Sequence, residues 1–212
     1  TDDPLVAIRL DHGRGFAFRG LRRLEDSAVA FRKVAESAAR LGWLSRAANA
    51  FYESGLSAYT RSDFRGTLAA WEARLPIEER RGDRQVVAAT LGNIGVIHWG
   101  LGTYPKALEF QERALALEEL LGNRAEVARA LGNIGGIHRS LGAYAKALEF
   151  QERALGLSEE LGDRAGVAAT LGNIGGIHQS LGAYARALEF RVRAFRAADE
   201  VGVVDVSVRN LY

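Results

Sequence analysis

Apolar residues recur along this chain at the three- and four-residue spacings of helices that bury one face. Between residues 122 and 161, one such run contains Leu131 and Ile134, and a second run contains Ala147 and Phe150. A short Leu-Gly-Ala-Tyr segment separates the two runs. This periodicity predicts two helices joined by a tight turn.

The two-helix pattern repeats along the chain with a period of 40 residues. Residues 82–121 and 122–161 are identical at 27 of 40 positions, and residues 122–161 and 162–201 are identical at 26 of 40. The register continues upstream in a weaker form, since Gly55 stands 40 residues before Gly95. We therefore predict a single array of five units and a partial sixth, comprising residues 2–41, 42–81, 82–121, 122–161, 162–201 and 202–212.

Glycine and capping residues mark the ends of the predicted helices. Gly142 suits the left-handed residue that ends a first helix, and Gly122 would end a second helix in the same way. Asn123 would cap the following helix with its side chain, as would Asp83 one unit earlier. Pro76 falls late in a predicted helix, and we expect it to kink that helix or end it early.

Each first helix also contains glycines in its interior, where each one loses up to about 1 kcal/mol relative to alanine. Gly95, Gly135 and Gly175 recur at the same position of their units. We expect these three glycines to face the partner helix and to permit close approach of its backbone. Packing, more than propensity, would hold such a helix.

The apolar spacing matches a known repeat pattern. The third unit carries, in order, Leu91, Ile94, Gly95, His98, Ala107 and Ala114, and the next two units repeat the series. The series resembles the tetratricopeptide repeat, strongly over residues 82–201 and moderately over residues 2–81. The 40-residue period is longer than usual and resembles kinesin light chains, Pins-type spindle adaptors and bacterial regulatory arrays. The resemblance implies an all-α fold, an α-α superhelix built as a solenoid of antiparallel helix pairs.

The same resemblance implies a scaffold that binds a protein or peptide segment, extended or helical, in a concave groove. Two alternatives stay open: a self-assembling structural module, and a sensor domain that regulates an attached effector domain. No effector domain is visible in this sequence. Residues 202–212 lack the polar face of a capping helix, so that exposed array ends could support self-association.

By this resemblance, the first helices line the groove and place one asparagine per unit on its surface. The asparagines are Asn93, Asn133 and Asn173. A carboxamide offers both a donor and an acceptor, so it can pair with the backbone of an extended peptide whatever the peptide's side chains. Alternatively, each asparagine bonds a neighbouring helix and fixes the angle between repeats.

Other candidate ligand contacts occupy the same groove. Trp99 would anchor a ligand, since tryptophan is enriched among binding hot spots, unless it packs between units. Arg129 and Arg139 could pair with a ligand carboxylate, although an exposed arginine is more often simply solvated. Gln179 follows Arg139 by one repeat and is a further candidate.

The N-terminal half of the predicted groove is bulkier and more aromatic. It carries Tyr52, Glu53 and Tyr59 among its lining residues. We infer that this half supplies most of the side-chain specificity while the asparagine half grips backbone. The alternative is that terminal units diverge because they act as caps.

Composition narrows the possible partners and compartment. The chain has 28 basic and 26 acidic residues, so net charge gives no argument for a nucleic-acid partner, and no apolar run approaches the ~20 residues of a membrane helix. The absence of cysteine excludes disulfides, thiolate metal sites and cysteine nucleophiles, and it suits the cytoplasm. The chain also lacks methionine. We therefore expect a fragment of a longer cytoplasmic protein without nucleic-acid or membrane partners.

Three histidines at equivalent positions invite a metal hypothesis. His98, His138 and His178 would lie about 10 Å or more apart, given the usual separation of packed helices. Zinc holds its ligands at about 2 Å, so that one ion cannot bridge them. We predict instead that they are packed residues where the family has tyrosine. Since no acid–base dyad or nucleophile triad stands out, we predict no enzyme, no cofactor and no metal site.

Overall fold

A computed structural model describes residues 3–199 of the chain. These residues form ten α-helices of 16 to 18 residues. The helices are α1 Pro4–Gly20, α2 Leu24–Arg40, α3 Leu44–Thr60, α4 Phe64–Arg81, α5 Arg84–Gly100, α6 Tyr104–Leu121, α7 Arg124–Ser140, α8 Tyr144–Glu160, α9 Arg164–Ser180 and α10 Tyr184–Asp199. Within this part of the chain, no helix is both long enough and apolar enough to cross a membrane.

The turns between helices share one backbone device. Each turn between successive helices contains one residue with positive φ, and these residues are 20 positions apart. Seven of these residues are glycines, namely Gly42, Gly82, Gly102, Gly122, Gly142, Gly162 and Gly182, with φ between 67° and 74°. Arg22 and Ser62 take the same conformation, at φ 57° and 61°, in the first two 40-residue repeats. The left-handed turn residues predicted from the sequence, including Gly122 and Gly142, are confirmed.

The predicted caps are only partly correct. Asp83 accepts a hydrogen bond from the backbone N–H of Val86, and Asp163 caps its helix in the same way. Asn123 makes no side-chain capping bond, so that this prediction is wrong. Its side chain hydrogen-bonds Glu118 instead, which leaves the first turn of α7 without a side-chain acceptor.

Pro76 does not end its helix early. Helix α4 runs through Pro76 to Arg81 and stops only at the left-handed Gly82. The proline is exposed, whereas its neighbours Leu75 and Ile77 are buried. Burial of these neighbours holds the last turn in place, and the carbonyl that loses its partner to proline can be solvated.

The described residues divide into two compact units, one ending at Thr103 and the other beginning at Tyr104. In unit 1, small and branched residues of α1 to α4 form the core, among them Ile8, Val34, Ala47 and Ala48, all at most 1% exposed. In unit 2, the core is dominated by leucine and isoleucine of the first helices. These residues are Leu131, Ile134, Ile137, Leu171, Ile174 and Ile177. The prediction of one array continuous across both units stays a prediction.

In four of the first helices, a glycine lies in close contact with the partner helix, namely Gly15, Gly55, Gly135 and Gly175. A Cβ added to Gly15 would come within 2.7 Å of the Phe31 ring. One added to Gly135 would come within 2.8 Å of the Gln151 amide nitrogen. At Gly175 the nearest atom would be a backbone carbonyl of α10, at 3.2 Å. The expected close approach of the two helices is therefore confirmed at Gly135 and Gly175.

Candidate functional site

Unit 1 contains a cavity of about 250 Å³ with an aromatic wall, which we call the aromatic pocket. Helix α3 supplies residues at i, i+4 and i+7, helix α4 one tryptophan, and helix α5 a polar residue beside two apolar ones. The lining residues are Tyr52, Leu56, Tyr59, Trp71, Asn93, Val96 and Ile97. Three of the residues predicted from the sequence, Tyr52, Tyr59 and Asn93, are thus brought together here.

Trp71 reaches the pocket because Gly55 has no side chain. The indole lies across α3, and a Cβ added to Gly55 would stand 2.5 Å from indole Cδ1. The indole N–H points to the carbonyl oxygen of Tyr52 at 3.5 Å, at the outer limit of a hydrogen bond. The ring is 7% exposed, so that its bulk is part of the core while its edge forms the pocket wall.

The rings of Tyr52 and Tyr59 both lie close to the indole of Trp71 and nearly parallel to it, at interplanar angles of 13° and 26°. Ring centroids are 6.3 Å apart for Tyr52 and Trp71, and 6.4 Å apart for Tyr59 and Trp71. The Arg74 guanidinium lies over the Tyr52 ring, 4.8 Å from its centroid. Tyr59 is 46% exposed, so that one aromatic face of the pocket is open to a ligand. Rings held in this way lose little freedom when a ligand binds.

Asn93 supplies the polar group of the pocket. Its side chain is half-buried on the lining face of α5, next to the exposed Val96. Among the described residues, the Asn93 carboxamide has no side-chain hydrogen bond. A carboxamide has two donors and an acceptor, so the pocket combines an apolar wall with a group that can bond a peptide unit.

Glu53 is committed to a contact inside unit 1. Its carboxylate pairs with the Arg19 guanidinium at 2.5 Å, and Arg19 also donates to the Glu53 carbonyl oxygen and to Ser57 Oγ, each at 2.9 Å. The same guanidinium lies 5.1 Å from the centroid of the Phe31 ring. Glu53 therefore links α3 to α1, and it does not line the aromatic pocket. Trp99, half-buried near the end of α5, does not line the pocket either.

In unit 2 the equivalent surface is built from amides. Asn133 donates from Nδ2 to Gln111 Oε1 at 3.5 Å, a long bond. Gln151 is fully buried and donates to the Gly132 carbonyl oxygen at 2.8 Å. Asn173 is exposed and, among the described residues, makes no side-chain hydrogen bond. The structural alternative for the asparagines thus has support at Asn133, while the side chains of Asn93 and Asn173 stay available for a ligand.

The other predicted contacts of unit 2 already have partners or packing roles. Arg129 forms an ion pair with Glu126, three residues earlier on α7, with a hydrogen bond of 2.6 Å. The Arg139 guanidinium covers Gly176 of α9, since a Cβ added there would stand 2.5 Å from Nη1. Gln179 accepts a hydrogen bond of 2.5 Å from Arg191. Arg139 and Gln179 are nonetheless partly open to solvent.

The three recurring histidines are packed residues, as predicted. His98 and His178 are 4% and 8% exposed. His138 stacks on Phe150 at 5.4 Å between centroids, and His178 stacks on its equivalent phenylalanine at 5.3 Å. His98 Nδ1 lies 2.9 Å from the Thr103 hydroxyl. No group of three or more histidine or carboxylate side chains in residues 3–199 is arranged to hold a metal ion.

Burial disfavours charge on two side chains of unit 2. Desolvation, followed by the nearby Lys146, lowers the pKa of His138, and its Nδ1 is buried without a hydrogen-bond partner. Desolvation, followed by repulsion from Glu126, raises the pKa of Glu118. Both shifts follow from a low-dielectric surrounding that penalises the charged form. Neither group lies in the aromatic pocket.

Comparison with models of known protein families identifies the family of this chain. The model of the tetratricopeptide repeat matches residues 86–160 and again residues 126–200, which together cover more than half of the chain. The chain belongs to the tetratricopeptide repeat family. No curated protein matches it.

Several solved structures share the tetratricopeptide fold. Aspartyl phosphate phosphatase F from Bacillus subtilis superposes with a TM-score of 0.76 at 19% identity, over 95% of this chain and 53% of that one. A STAND protein with a tetratricopeptide repeat sensor, from Pyrococcus horikoshii, gives 0.77 at 18% identity over 93% and 31%. A Podospora anserina kinesin light chain with nearly identical TPR-like repeats gives 0.72 at 11% over 95% and 99%. These likenesses confirm the all-α fold of antiparallel helix pairs. This chain spans about half the length of the Bacillus protein.

One residue that lines the aromatic pocket, Trp71, was not predicted from the sequence as a site residue. Trp71 joins the two tyrosines and closes the pocket, yet only the tyrosines were named as ligand contacts. The available signal was its position, because Trp71 stands where the next two units carry Gln111 and Gln151. An aromatic residue in place of a repeated glutamine indicates that this position has a different structural role in its repeat.

Proposed function

We propose that this tetratricopeptide repeat chain binds a segment of a partner protein, and that the aromatic pocket receives an apolar side chain of that segment. The supporting observation is the pocket itself. It combines a stacked aromatic wall, an exposed Tyr59 and the unbonded carboxamide of Asn93 in one cavity of about 250 Å³. Protein-interaction scaffolds and sensors share this family.

The physical case rests on how such pockets gain affinity. Tyrosine and tryptophan dominate binding hot spots because they bury large surfaces with few rotatable bonds. Here Tyr52 and Tyr59 are held by Trp71, so that little side-chain entropy is lost on binding. Asn93 would then pair with a backbone amide of the segment next to its anchor side chain, which fixes the segment's direction.

The test begins with a ligand selected without bias, by panning a random peptide library displayed on phage against the immobilised protein. Affinity of the best peptide is then measured by isothermal titration calorimetry for the wild type and two variants. We expect Tyr59→Ala to weaken binding about 30-fold, as for a hot-spot residue. We expect Asn93→Ala to weaken it about fivefold, as for one hydrogen bond.

Matched controls come from the same residue types outside the pocket. Tyr184 is an exposed tyrosine of α10, and Asn49 is an exposed asparagine of α3. Tyr184→Ala and Asn49→Ala should leave the affinity within about twofold. Equal affinity for wild type, Tyr59→Ala and Asn93→Ala would show that the peptide binds elsewhere and would reject the aromatic pocket.

Several peptides of unrelated sequence from the same selection test the hypothesis that the asparagines bind the peptide backbone. If the predicted array is continuous and the asparagines grip backbone, Asn173→Ala should weaken peptides of unrelated sequence by a similar factor. Asn133 is the internal comparison because it already bonds Gln111. Affinities unchanged in both Asn133→Ala and Asn173→Ala would restrict the site to unit 1.

A second candidate function is self-assembly, which one observation favours. Helix α10 exposes an apolar stripe of Tyr184, Leu188, Val192 and Phe195, at 71%, 65%, 41% and 55% exposure. The C-terminal valines that first suggested this role lie outside the described residues. Sedimentation velocity of the wild type and Leu188→Glu decides the point. A concentration-dependent dimer lost in Leu188→Glu would support self-assembly, whereas a monomer at every concentration would reject it.

A further inference from the structure

A second cavity of unit 1 has a volume of about 690 Å³ and a basic lining, and we call it the arginine cleft. Its walls come from α1, from the turn before α3 and the first turn of α3, and from the end of α4. The residues that matter here are Leu5, Arg9, Trp43, Leu44, Arg46 and Arg81. The cleft shares no lining residue with the aromatic pocket.

The positive charge of the cleft is largely uncompensated. Among the described residues, neither Arg9 nor Arg46 takes part in an ion pair, and no carboxylate lines the cleft. Arg81 donates to Glu78 at 2.5 Å, but the single carboxylate of Glu78 also receives Arg74 at 3.1 Å. One negative charge thus serves two guanidiniums, and the cleft keeps a net positive charge.

Helix stability does not account for this placement. Arg46 lies in the first turn of α3, where the helix dipole disfavours a positive charge. Its guanidinium lies 5.8 Å from the centroid of the Trp43 ring, and an aromatic ring does not neutralise the charge. Arg9 is exposed in the middle of α1, and it makes no ion pair there with another described residue. A bound anion would neutralise positive charge that no carboxylate of the cleft lining balances.

The lining is also apolar, and this decides the class of ligand. Leu5 is 44% exposed at the rim, and half-buried Trp43 and Leu44 form the inner wall. A small anion would contact the guanidiniums and leave these side chains unused. A chain that alternates carboxylates with apolar side chains would use both, since guanidiniums take carboxylates in bidentate pairs.

We infer that the arginine cleft binds an acidic segment of a protein, in which glutamate or aspartate side chains alternate with apolar ones. This site goes beyond the proposed function, because it recognises a different chemistry on a different surface. The carboxylates pair with Arg9, Arg46 and the outer nitrogens of Arg81. The apolar side chains pack on Leu5 and Trp43. Association is then driven by charge and fades as salt rises.

The probe is a fluorescein-labelled synthetic peptide that alternates glutamate with phenylalanine and leucine. Its control peptide has glutamine in place of every glutamate. Fluorescence anisotropy measures binding of both to the full chain. We expect the acidic peptide to bind, the glutamine peptide to bind at least about tenfold more weakly, and the acidic complex to weaken as salt shortens the Debye length.

Arginine variants locate the site. Arg9→Gln combined with Arg46→Gln should weaken the acidic peptide by at least about tenfold, as expected for lost charge-assisted bonds. Arg65→Gln is the matched control, since Arg65 is exposed on α4 and does not line the cleft. Circular dichroism confirms that the variants fold. An unchanged affinity in the double variant would overturn the assignment.

Tryptophan emission gives an independent localisation, because the chain has three tryptophans. The emission change caused by an unlabelled acidic peptide should persist in Trp71→Phe and vanish in Trp43→Phe. Persistence in Trp43→Phe with loss in Trp71→Phe would place the acidic peptide in the aromatic pocket and reject the cleft. The Tyr59→Ala variant, which tests the proposed function, should bind the acidic peptide like the wild type.

Two competitors distinguish other anionic ligands. Inorganic phosphate should displace the labelled peptide only at concentrations that act through ionic strength, as matched sodium chloride does. Specific displacement by phosphate well below that concentration would overturn the peptide assignment in favour of a phosphate site. A single-stranded RNA oligonucleotide that binds more tightly than the acidic peptide would overturn it in favour of nucleic acid.

Discussion

Units 1 and 2 fill the same repeat positions with different chemistry. A side chain of the second helix packs against a glycine of the first helix in both units. In unit 1 it is the indole of Trp71 against Gly55, and in unit 2 it is the amide of Gln151 against Gly135. The indole extends the core into a pocket wall that it shares with two tyrosines. The amide instead bonds the backbone at Gly132 and closes the surface. One position of the repeat can therefore either form part of a cavity wall or hold two helices together through a hydrogen bond.

A second pair of positions repeats the contrast. Arg19 and Glu53, which follow each other across adjacent repeats of unit 1, form an ion pair at 2.5 Å. In unit 2 the same positions hold Arg139 and Asn173. Among residues 3–199, no carboxylate pairs with the Arg139 guanidinium, which covers Gly176. The scaffold fixes where two side chains meet, and the residue types decide whether that meeting is structural or free for a partner.

The largest effect should come from giving unit 1 the residue of unit 2. Trp71→Gln removes the stacked centre of the aromatic pocket and leaves space above Gly55, so we expect a loss of about 3 kcal/mol in the free energy of unfolding. Urea denaturation followed by circular dichroism measures it. Trp71→Phe, which keeps an aromatic ring, should lose about half as much. An unchanged urea midpoint in Trp71→Gln would mean that the indole does not support the fold.

A methyl group added at Gly55 or at Gly135 should destabilise the chain according to how closely the partner helix packs over each glycine. Gly55→Ala forces the added Cβ against the indole, and we expect a loss of about 2 kcal/mol. At Gly135 the added Cβ would stand 2.8 Å from the Gln151 amide nitrogen and 3.1 Å from the Ala147 carbonyl oxygen. Because this overlap is milder than the one at Gly55, we expect a loss of about 1 kcal/mol. Thermal melts followed by circular dichroism rank the two.

Two other helical glycines are the controls for that pair. Gly13 and Gly132 have no atom within 4 Å of an added Cβ. Alanine there should stabilise the chain by about 0.5–1 kcal/mol through the unfolded state. A ranking in which Gly135→Ala costs more than Gly55→Ala would contradict the contrast between amide and indole.

The smallest effect should come from copying the ion pair of unit 1 into unit 2. Asn173→Glu places a carboxylate where Arg139 can reach it, and we expect a gain of at most about 1 kcal/mol, as for partly exposed pairs. The gain should disappear in the Arg139→Gln background and shrink in high salt. If Asn173→Glu stabilises both backgrounds equally, the two positions do not meet as Arg19 and Glu53 do.

The periodicity of the sequence was sufficient to predict the fold because the apolar spacing and the turn glycines follow the same 40-residue register. The 40-residue register predicted the helix pairs, and the left-handed residues at Gly122 and Gly142 followed from turn chemistry. Local rules failed where tertiary contacts compete with them. Pro76 stays inside α4 because buried neighbours hold the turn, and the Asn123 side chain bonds Glu118 in preference to its own helix.

The candidate site was less predictable, since pairing between repeats is not visible in a pattern. Glu53 and Arg129 were named as ligand contacts, but each forms an ion pair, with Arg19 and Glu126 respectively. Their roles as ligand contacts stay predictions. Trp71 was overlooked because it belongs to a second helix, and its access to the groove side depends on the missing side chain of Gly55.

The even spacing of the left-handed turn residues has a consequence for the gene. From Arg22 to Gly182 these residues fall every 20 positions, so two turns make one 40-residue unit with no remainder. A DNA segment that encodes 40 residues can be duplicated or deleted by unequal crossing-over. The reading frame is then kept, and the buried positions of the remaining repeats stay in register. Residues 82–121 and 122–161 are identical at 27 of 40 positions, which provides the homology for such exchange. Selection can therefore change the length of this array in whole units before it adjusts a single side chain.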